Sequence, residues 1–142
     1  MKNEMRVEFD SISANEAFAR VTVAAFMTQM NPSMEEAADV KTAVAEAVTN
    51  AIIHGYEGEV HKIVITGCIE DEWLTLCVED QGIGIEDVEK AMEPLYTTRP
   101  ELERSGMGFL FMEAFMDEVQ VDSEPGKGTA VTMKKRIVQR ED

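Results

Sequence analysis

Three short stretches between Ala45 and Leu110 constrain this chain more than anything else in it, because each makes chemical sense only beside the others. They are Glu46-Ala-Val-Thr-Asn50-Ala-Ile-Ile-His54-Gly55, then Asp80-Gln-Gly82-Ile-Gly84-Ile85, then Arg104-Ser-Gly106-Met-Gly108-Phe109. In the first, a carboxylate, an amide and an imidazole recur every four residues. On an α-helix that step drifts by about 40° and rises roughly 6 Å, so the three side chains share one face. The second puts an acid before a glycine turn at the end of an apolar strand. The third is a glycine pair opening an amphipathic helix, where unpaired backbone N–H groups favour phosphate. Taken together they describe a pocket for a magnesium nucleotide.

The surrounding chain reads as an α/β sandwich. Glu4 to Asp10 alternates Met5, Val7 and Phe9 with charged residues, as a half-buried strand does. Ser13-Ala-Asn-Glu16 has the form of a capping box, with Ile12 and Ala17 spaced as a hydrophobic staple. The helix it opens carries Ala17, Phe18, Val21, Ala24, Ala25 and Thr28 as its apolar stripe, and Asn31-Pro32 ends it. Ser33-Met-Glu-Glu36 is a second capping box. The helix behind it has Ala37, Val40, Val44, Ala47, Val48 and Ala51 as its stripe, with Glu46, Asn50 and His54 along one edge, and Gly55 and Gly58 stop it.

Lys62 to Ile69 and Trp73 to Glu79 are apolar, β-rich runs joined by Glu70-Asp-Glu72, an antiparallel hairpin. Residues 81–105 are polar, hold Pro94 and Pro100, and offer only a short helical stretch near Asp87 to Met92. A segment of that kind is a functional lid or a disordered loop. A helix over Met107 to Met116 follows, and Val119 to Asp122 with Thr129 to Ile137 forms a closing hairpin around Glu124-Pro-Gly-Lys-Gly128. The tail Gln139 to Asp142 is expected to be loose. The prediction is one domain over 1–142, with a mostly antiparallel mixed sheet covered on one face by helices.

Charge narrows the partners. With 28 acidic against 13 basic residues the net charge is −15. Such a surface repels phosphate backbones and argues against direct nucleic-acid binding. It suits a partner protein with basic patches, and it equally suits plain solubility. No apolar run approaches the length of a membrane span, and the start, Met-Lys-Asn-Glu-Met-Arg-Val-Glu, lacks the apolar core of a signal peptide; a cytoplasmic protein is expected. Cys68 and Cys77 have no companion ligands, so buried reduced thiols are expected rather than a metal site or a disulfide.

Each motif alone has a bland alternative. A Glu and an Asn on a helix edge also describe a solvated face, and a histidine near a helix C-terminus also complements the dipole. As chemistry, however, Asn50 is a neutral oxygen donor suited to Mg²⁺, and Glu46, one turn earlier, is placed to orient a hydroxyl as a general base. Asp80 at a strand end can accept a hydrogen bond from an exocyclic amine, which would read adenine over guanine. Gly82 and Gly84 let backbone approach a flat ring, although an Asp and a Gly this close are equally a β-turn. Thr129, after Gly126-Lys-Gly128, could add a hydroxyl near the base.

In order and spacing these motifs resemble the GHKL (Bergerat-fold) ATP-binding family over nearly the whole chain. The resemblance implies that Asn50 coordinates Mg²⁺, that Asp80 contacts the adenine amino group, and that 81–105 closes over the triphosphate. Within that family the stretches Glu46–Tyr56, Glu79–Ile85 and Glu93–Phe109 are similar to small bacterial anti-sigma factors that are also serine protein kinases, of the sporulation sigma-F type. That likeness implies a homodimer that binds a sigma factor and uses Mg·ATP, leaving ADP, to phosphorylate a serine of an anti-anti-sigma partner. The expected catalytic residue is then Glu46. The nucleotide site comprises Asn50, His54, Asp80, Gly82, Gly84, Ile85, Thr97, Thr98, Arg104, Ser105, Gly106, Met107, Gly108, Phe109 and Thr129, with lid residue Arg99 also in reach. Arg20, on the exposed side of the first helix, is a candidate partner contact. Ser105 stands where sensor kinases of the family often carry a further glycine, and no helical hairpin bearing a phospho-accepting histidine precedes the domain. A stress-response (sigma-B type) kinase, an ATP-dependent binding module without phosphoryl transfer, and an ATPase fragment of the topoisomerase or mismatch-repair type are the competing readings. The last of these calls for a transducer domain that 142 residues do not accommodate.

Overall fold

Alternation of apolar and polar residues builds five strands, and in the computed structural model, which describes residues 2–85, 88 and 108–138, all five join one sheet. The strands are β1 (Lys2–Asp10), β2 (Lys62–Glu70), β3 (Trp73–Asp80), β4 (Glu118–Glu124) and β5 (Gly128–Arg136), in the order β1-β2-β3-β5-β4. Among the described residues every pairing is antiparallel, in keeping with the mostly antiparallel sheet expected from the sequence. Helices α1 (Ala14–Met27), α2 (Met34–Asn50) and α3 (Gly108–Phe115) complete an α+β layer pair.

The period of two puts Ile63, Ile65, Leu74, Leu76, Val78, Val131 and Met133 on the helix side, where all are buried. They meet Ala19, Val23 and Met27 of α1, Val40, Ala43, Val44, Ala47 and Val48 of α2, and Met112 of α3. Each fully buried Leu or Ile side chain here contributes about 1.5–3 kcal/mol. Lys135 stands among this core-facing set and is satisfied at its tip. Its Nζ donates to the Phe115 carbonyl at the end of α3 (2.7 Å) and lies 3.7 Å from the Asp39 carboxylate of α2. A cation at the C-terminus of α3 complements the helix dipole and ties that short helix to α2.

Several finer expectations change. At α2 the capping box forms: Glu36 N donates to Ser33 Oγ (3.0 Å) and Ser33 N to Glu36 Oε1 (2.8 Å). At α1 it does not. Ser13 is itself in helical conformation and its side chain caps nothing, while Glu16 turns away to accept the Thr49 hydroxyl of α2 at 3.0 Å. Ile12 and Ala17, spaced for the staple, are both exposed.

The stripe of α1 is likewise displaced. Its core face is Ala19, Val23 and Met27, continued by Met30 of the following 3-10 turn, whereas Phe18 and Val21 are 48% and 69% exposed. Small and medium apolar residues lie almost all round this helix, so periodicity alone could not choose its buried side. Finally, Cys68 and Cys77 are free, as expected, but only half-buried, on the sheet face that points away from the helices. Of the segment 81–105 only 81–85 and 88 are described, and the short helix near Asp87 to Met92 and the tail Gln139 to Asp142 otherwise lie outside the described residues.

Candidate functional site

The α-helical hydrogen bonding of α2 gives way after Asn50 to a wider π turn, Ala51–Gly55, closed by Tyr56 N donating to the Ala51 carbonyl at 2.9 Å. Glu46, Asn50 and His54 are all half-buried on this continuous stretch. The step from Glu46 to Asn50 is α-helical and keeps the two on one face. The step to His54 crosses the wider turn, so its angular drift is not that of an α-helix.

The π turn delivers Gly55 against the end of β3. A Cβ built on Gly55 would lie 2.7–2.8 Å from the Asp80 carboxylate atoms, so only glycine lets that carboxylate pack here. Asp80 is 6% exposed. Its Oδ1 accepts from Gly82 N at 2.9 Å. Burial pushes Asp80 up to about 6, against the opposing pull of the Gly82 and Thr129 backbone N–H groups. A carboxylate at that position is poised between accepting and donating near neutral pH.

The loop that follows is held on both sides. Ile83 N donates to the Gly55 carbonyl (2.9 Å), and a Cβ on Gly82 would fall 1.9 Å from that same oxygen. On the other side Gly126 N donates to the Ile83 carbonyl (2.6 Å) and Ile85 N to Ser123 Oγ (2.8 Å). Gly84 takes a left-handed φ of +75° with its Cα against the Glu124 carbonyl, which excludes any side chain. Thr129 pairs directly with Asp80 across β3 and β5, is buried, and has its hydroxyl 2.8 Å from Ser123 Oγ.

The fold therefore brings Asp80, Gly82, Gly84, Ile85 and Thr129 into one cluster and ends the helix of Glu46, Asn50 and His54 against it. Gly108 opens α3, and Phe109 is buried in its first turn. Thr97, Thr98, Arg99, Arg104, Ser105, Gly106 and Met107 lie outside the described residues. Gly55, Tyr56 and Ser123 were not singled out from the sequence as site residues. Gly55 and Tyr56 directly follow His54, but a glycine there reads as a helix stop; Ser123 carried no signal.

The donor set fits a nucleotide with magnesium. A buried carboxylate acceptor beside three tightly packed glycines suits a flat, amine-bearing base. No group of three His, Cys, Asp or Glu side chains that could cage a metal occurs among the described residues. A neutral Asn50 oxygen is the kind of single protein ligand that Mg²⁺ accepts when phosphates and waters supply the rest. A separate cavity of about 760 Å³ shares Gly55 and Gly82 with this cluster and includes His61, Lys62 and Gln81, but neither Asp80 nor Asn50 lines it. It is a different space.

Residues 11–135 match the histidine kinase-like ATPase domain family. The chain is 58% identical over 142 residues to an anti-sigma F factor of Clostridium acetobutylicum, covering 100% of this chain and 99% of that one. It is 59% identical over 138 residues to an anti-sigma F factor of Geobacillus kaustophilus, covering 96% and 94%. Among solved structures it is similar to the RsbU and RsbW domains of a Mycobacterium tuberculosis protein, with TM-score 0.68, 19% identity, and 95% of this chain against 32% of that one. A histidine kinase domain from Erythrobacter litoralis matches with TM-score 0.55 and 18% identity, over 86% of this chain and 60% of that one. At these identities the two structures bear on the fold alone.

Proposed function

The chain belongs to the histidine kinase-like ATPase domain family and, within it, to the anti-sigma F factors, and from that premise we propose that it binds and inhibits a sigma-F-type sigma factor and phosphorylates a serine of an anti-anti-sigma protein with Mg·ATP. It acts as a homodimer in the cytoplasm. Among the described residues no helix is long and apolar enough to cross a membrane.

The observation that carries this reading is the buried Asp80 carboxylate seated between Gly55 and Gly82 at the end of the helix that bears Glu46 and Asn50. Asp80 accepts a hydrogen bond from the exocyclic amine of the base, and Gly82 and Gly84 line the ring. Asn50 offers its amide oxygen to magnesium, with His54, Ile85, Phe109 and Thr129 around the nucleotide. Bound Mg·ATP supplies the phosphoryl group that is transferred. Glu46 orients the acceptor serine hydroxyl and takes its proton. By resemblance to the family, the segment 81–105 would close over the triphosphate, with Thr97 and Thr98 in reach of the nucleotide and Arg104, Ser105 and the amides of Gly106, Met107 and Gly108 holding the phosphates. Phosphoryl transfer asks mainly for positioning and charge neutralisation, which this residue set supplies.

Arg20 is the proposed sigma-factor contact. It is exposed on α1, a helix that also leaves Phe18 and Val21 exposed.

Incubation with labelled ATP and an anti-anti-sigma protein tests the reading. Stable label on a partner serine is expected. Nucleotide-dependent capture of a sigma factor with no label on the partner would replace the kinase with an ATP-gated binding module. Asn50→Ala is expected to weaken Mg·ATP binding itself, which calorimetry would detect.

A further inference from the structure

The β2–β3 ladder stops one rung short of where its register would carry it. Val64 faces Glu79, so two residues on, past Ile63 and Asp80, the same register sets Lys62 opposite Gln81. A direct bond between those backbone groups is replaced by a side chain: the Tyr56 hydroxyl donates to the Lys62 carbonyl (2.5 Å) and accepts from Gln81 N (2.7 Å). Among side chains able to reach this point, a phenol supplies both the donor that a carbonyl needs and the acceptor that an N–H needs. Tyr56 is 6% exposed, and burial, with Asp80 nearby, raises its pKa, so the hydroxyl keeps the proton that it donates.

There is little slack between this hydroxyl and the Asp80 carboxylate. Gln81 is tied to Tyr56, Ile83 N to the Gly55 carbonyl, and Gly82 lies back to back with Gly55. The carboxylate itself packs on Gly55 and receives Gly82 N. Four successive residues, 80–83, are thus referenced to two, 55 and 56. Without the hydroxyl, Gln81 N would either close directly on Lys62, drawing β3 inward, or lose its partner. Both outcomes move the residue next to it.

We propose that Tyr56 is a positioning residue for base recognition: its hydroxyl, wedged between Lys62 and Gln81, holds the loop so that Asp80 meets the 6-amino group of a purine. The proposal rests on the nucleotide reading above and deepens it. Tyr56 touches no substrate, and its effect reaches the base through Asp80.

Calorimetry with two magnesium nucleotides tests it: ATP, and the triphosphate of purine riboside, which lacks the 6-amino group. Wild-type protein is expected to prefer ATP. In Tyr56→Phe, ATP affinity is expected to fall about tenfold, the scale of one well-made hydrogen bond, with the analogue nearly unaffected, so that the preference shrinks. Gly55→Ala, which pushes on the same carboxylate from the other side, is expected to shrink it too and serves if Tyr56→Phe folds poorly. An undiminished preference in the folded variants overturns the proposal while leaving the nucleotide reading intact. Wild-type protein that binds neither nucleotide overturns the nucleotide reading instead. In that event amide exchange of the nucleotide-free protein decides about the wedge: an altered Gln81 amide in Tyr56→Phe supports it, and an unchanged one overturns it.

Discussion

Helices α1 and α2 start from nearly the same instructions and end in opposite situations. Each begins with Ser-x-x-Glu and carries an apolar stripe. In α2 the capping box closes and the stripe is the buried face. In α1 the glutamate leaves its own N-terminus for Thr49, and the side chains that look like the stripe, Phe18 and Val21, are turned outward. The difference teaches that a local motif is decisive only where no tertiary partner competes for its polar group. It also separates the two helices: α2 buries its stripe and carries the residues proposed for the chemistry, while α1 leaves part of its apolar surface outside.

The contrast can be broken in order of size. If α2 is the working helix, Glu46→Ala should cut phosphoryl transfer by about 10²–10⁴-fold while Mg·ATP affinity is unchanged. Arg20→Ala on α1 should leave transfer alone and weaken sigma-factor capture. Steady transfer in the Glu46 variant would remove its assigned role. Next, α1 can be split against itself. Met27→Ala, in the core, should cost about 2–5 kcal/mol in urea unfolding, whereas Val21→Ala should stay within about 0.5 kcal/mol. Equal costs would mean that the outward face of α1 is covered in solution.

The third measurement concerns pH. Asp80 is raised by burial from 3.8 to about 6, so the folded chain holds its proton more tightly than the unfolded chain does. Its contribution to stability is therefore fully present below about pH 3.8 and is lost as pH rises through 6. The proposed adenine contact needs the carboxylate and runs the other way. ATP affinity should fall by up to about tenfold for each pH unit below 6, and calorimetry in buffers of different ionisation enthalpy should detect proton release on binding near pH 6. A flat profile from pH 5 to 8 would take Asp80 out of base recognition. Smallest is the pair of caps: Ser33→Ala should cost about 1 kcal/mol, and Ser13→Ala less than about 0.5 kcal/mol.

Much of this was legible in the residues. All five strands were legible, β1 from its alternation, β2 and β3 as apolar, β-rich runs, and β4 and β5 as a hairpin around Glu124–Gly128. The α2 stripe and its cap were legible too: Val40, Val44 and Val48 define a single apolar side. The α1 stripe was not, since Ala, Val, Phe and Met surround that helix and only the tertiary partner selects among them. At the site, Asp80 and the glycines announced themselves through residue type. Gly55 did not, because its purpose is steric and appears only once Asp80 is packed against it. Tyr56 was invisible for a related reason: a hydroxyl that replaces a rung of a ladder has no signature along the chain.

The stretch 86–107 has its two banks on the same ground. Upstream, residues 81–83 are stitched to Gly55 and Tyr56, where α2 runs out; downstream, α3 packs on α2 and is moored at Phe115 through Lys135, which also reaches Asp39 near the start of α2. Both banks are also tied to the sheet, through Ser123 and Gly126 on one side and Lys135 on the other, so a small tilt of α2 would strain those ties at both banks at once. Substitutions beneath α2, at Val44 or Val48, are thus the ones through which packing far from any ligand would be felt at the rim.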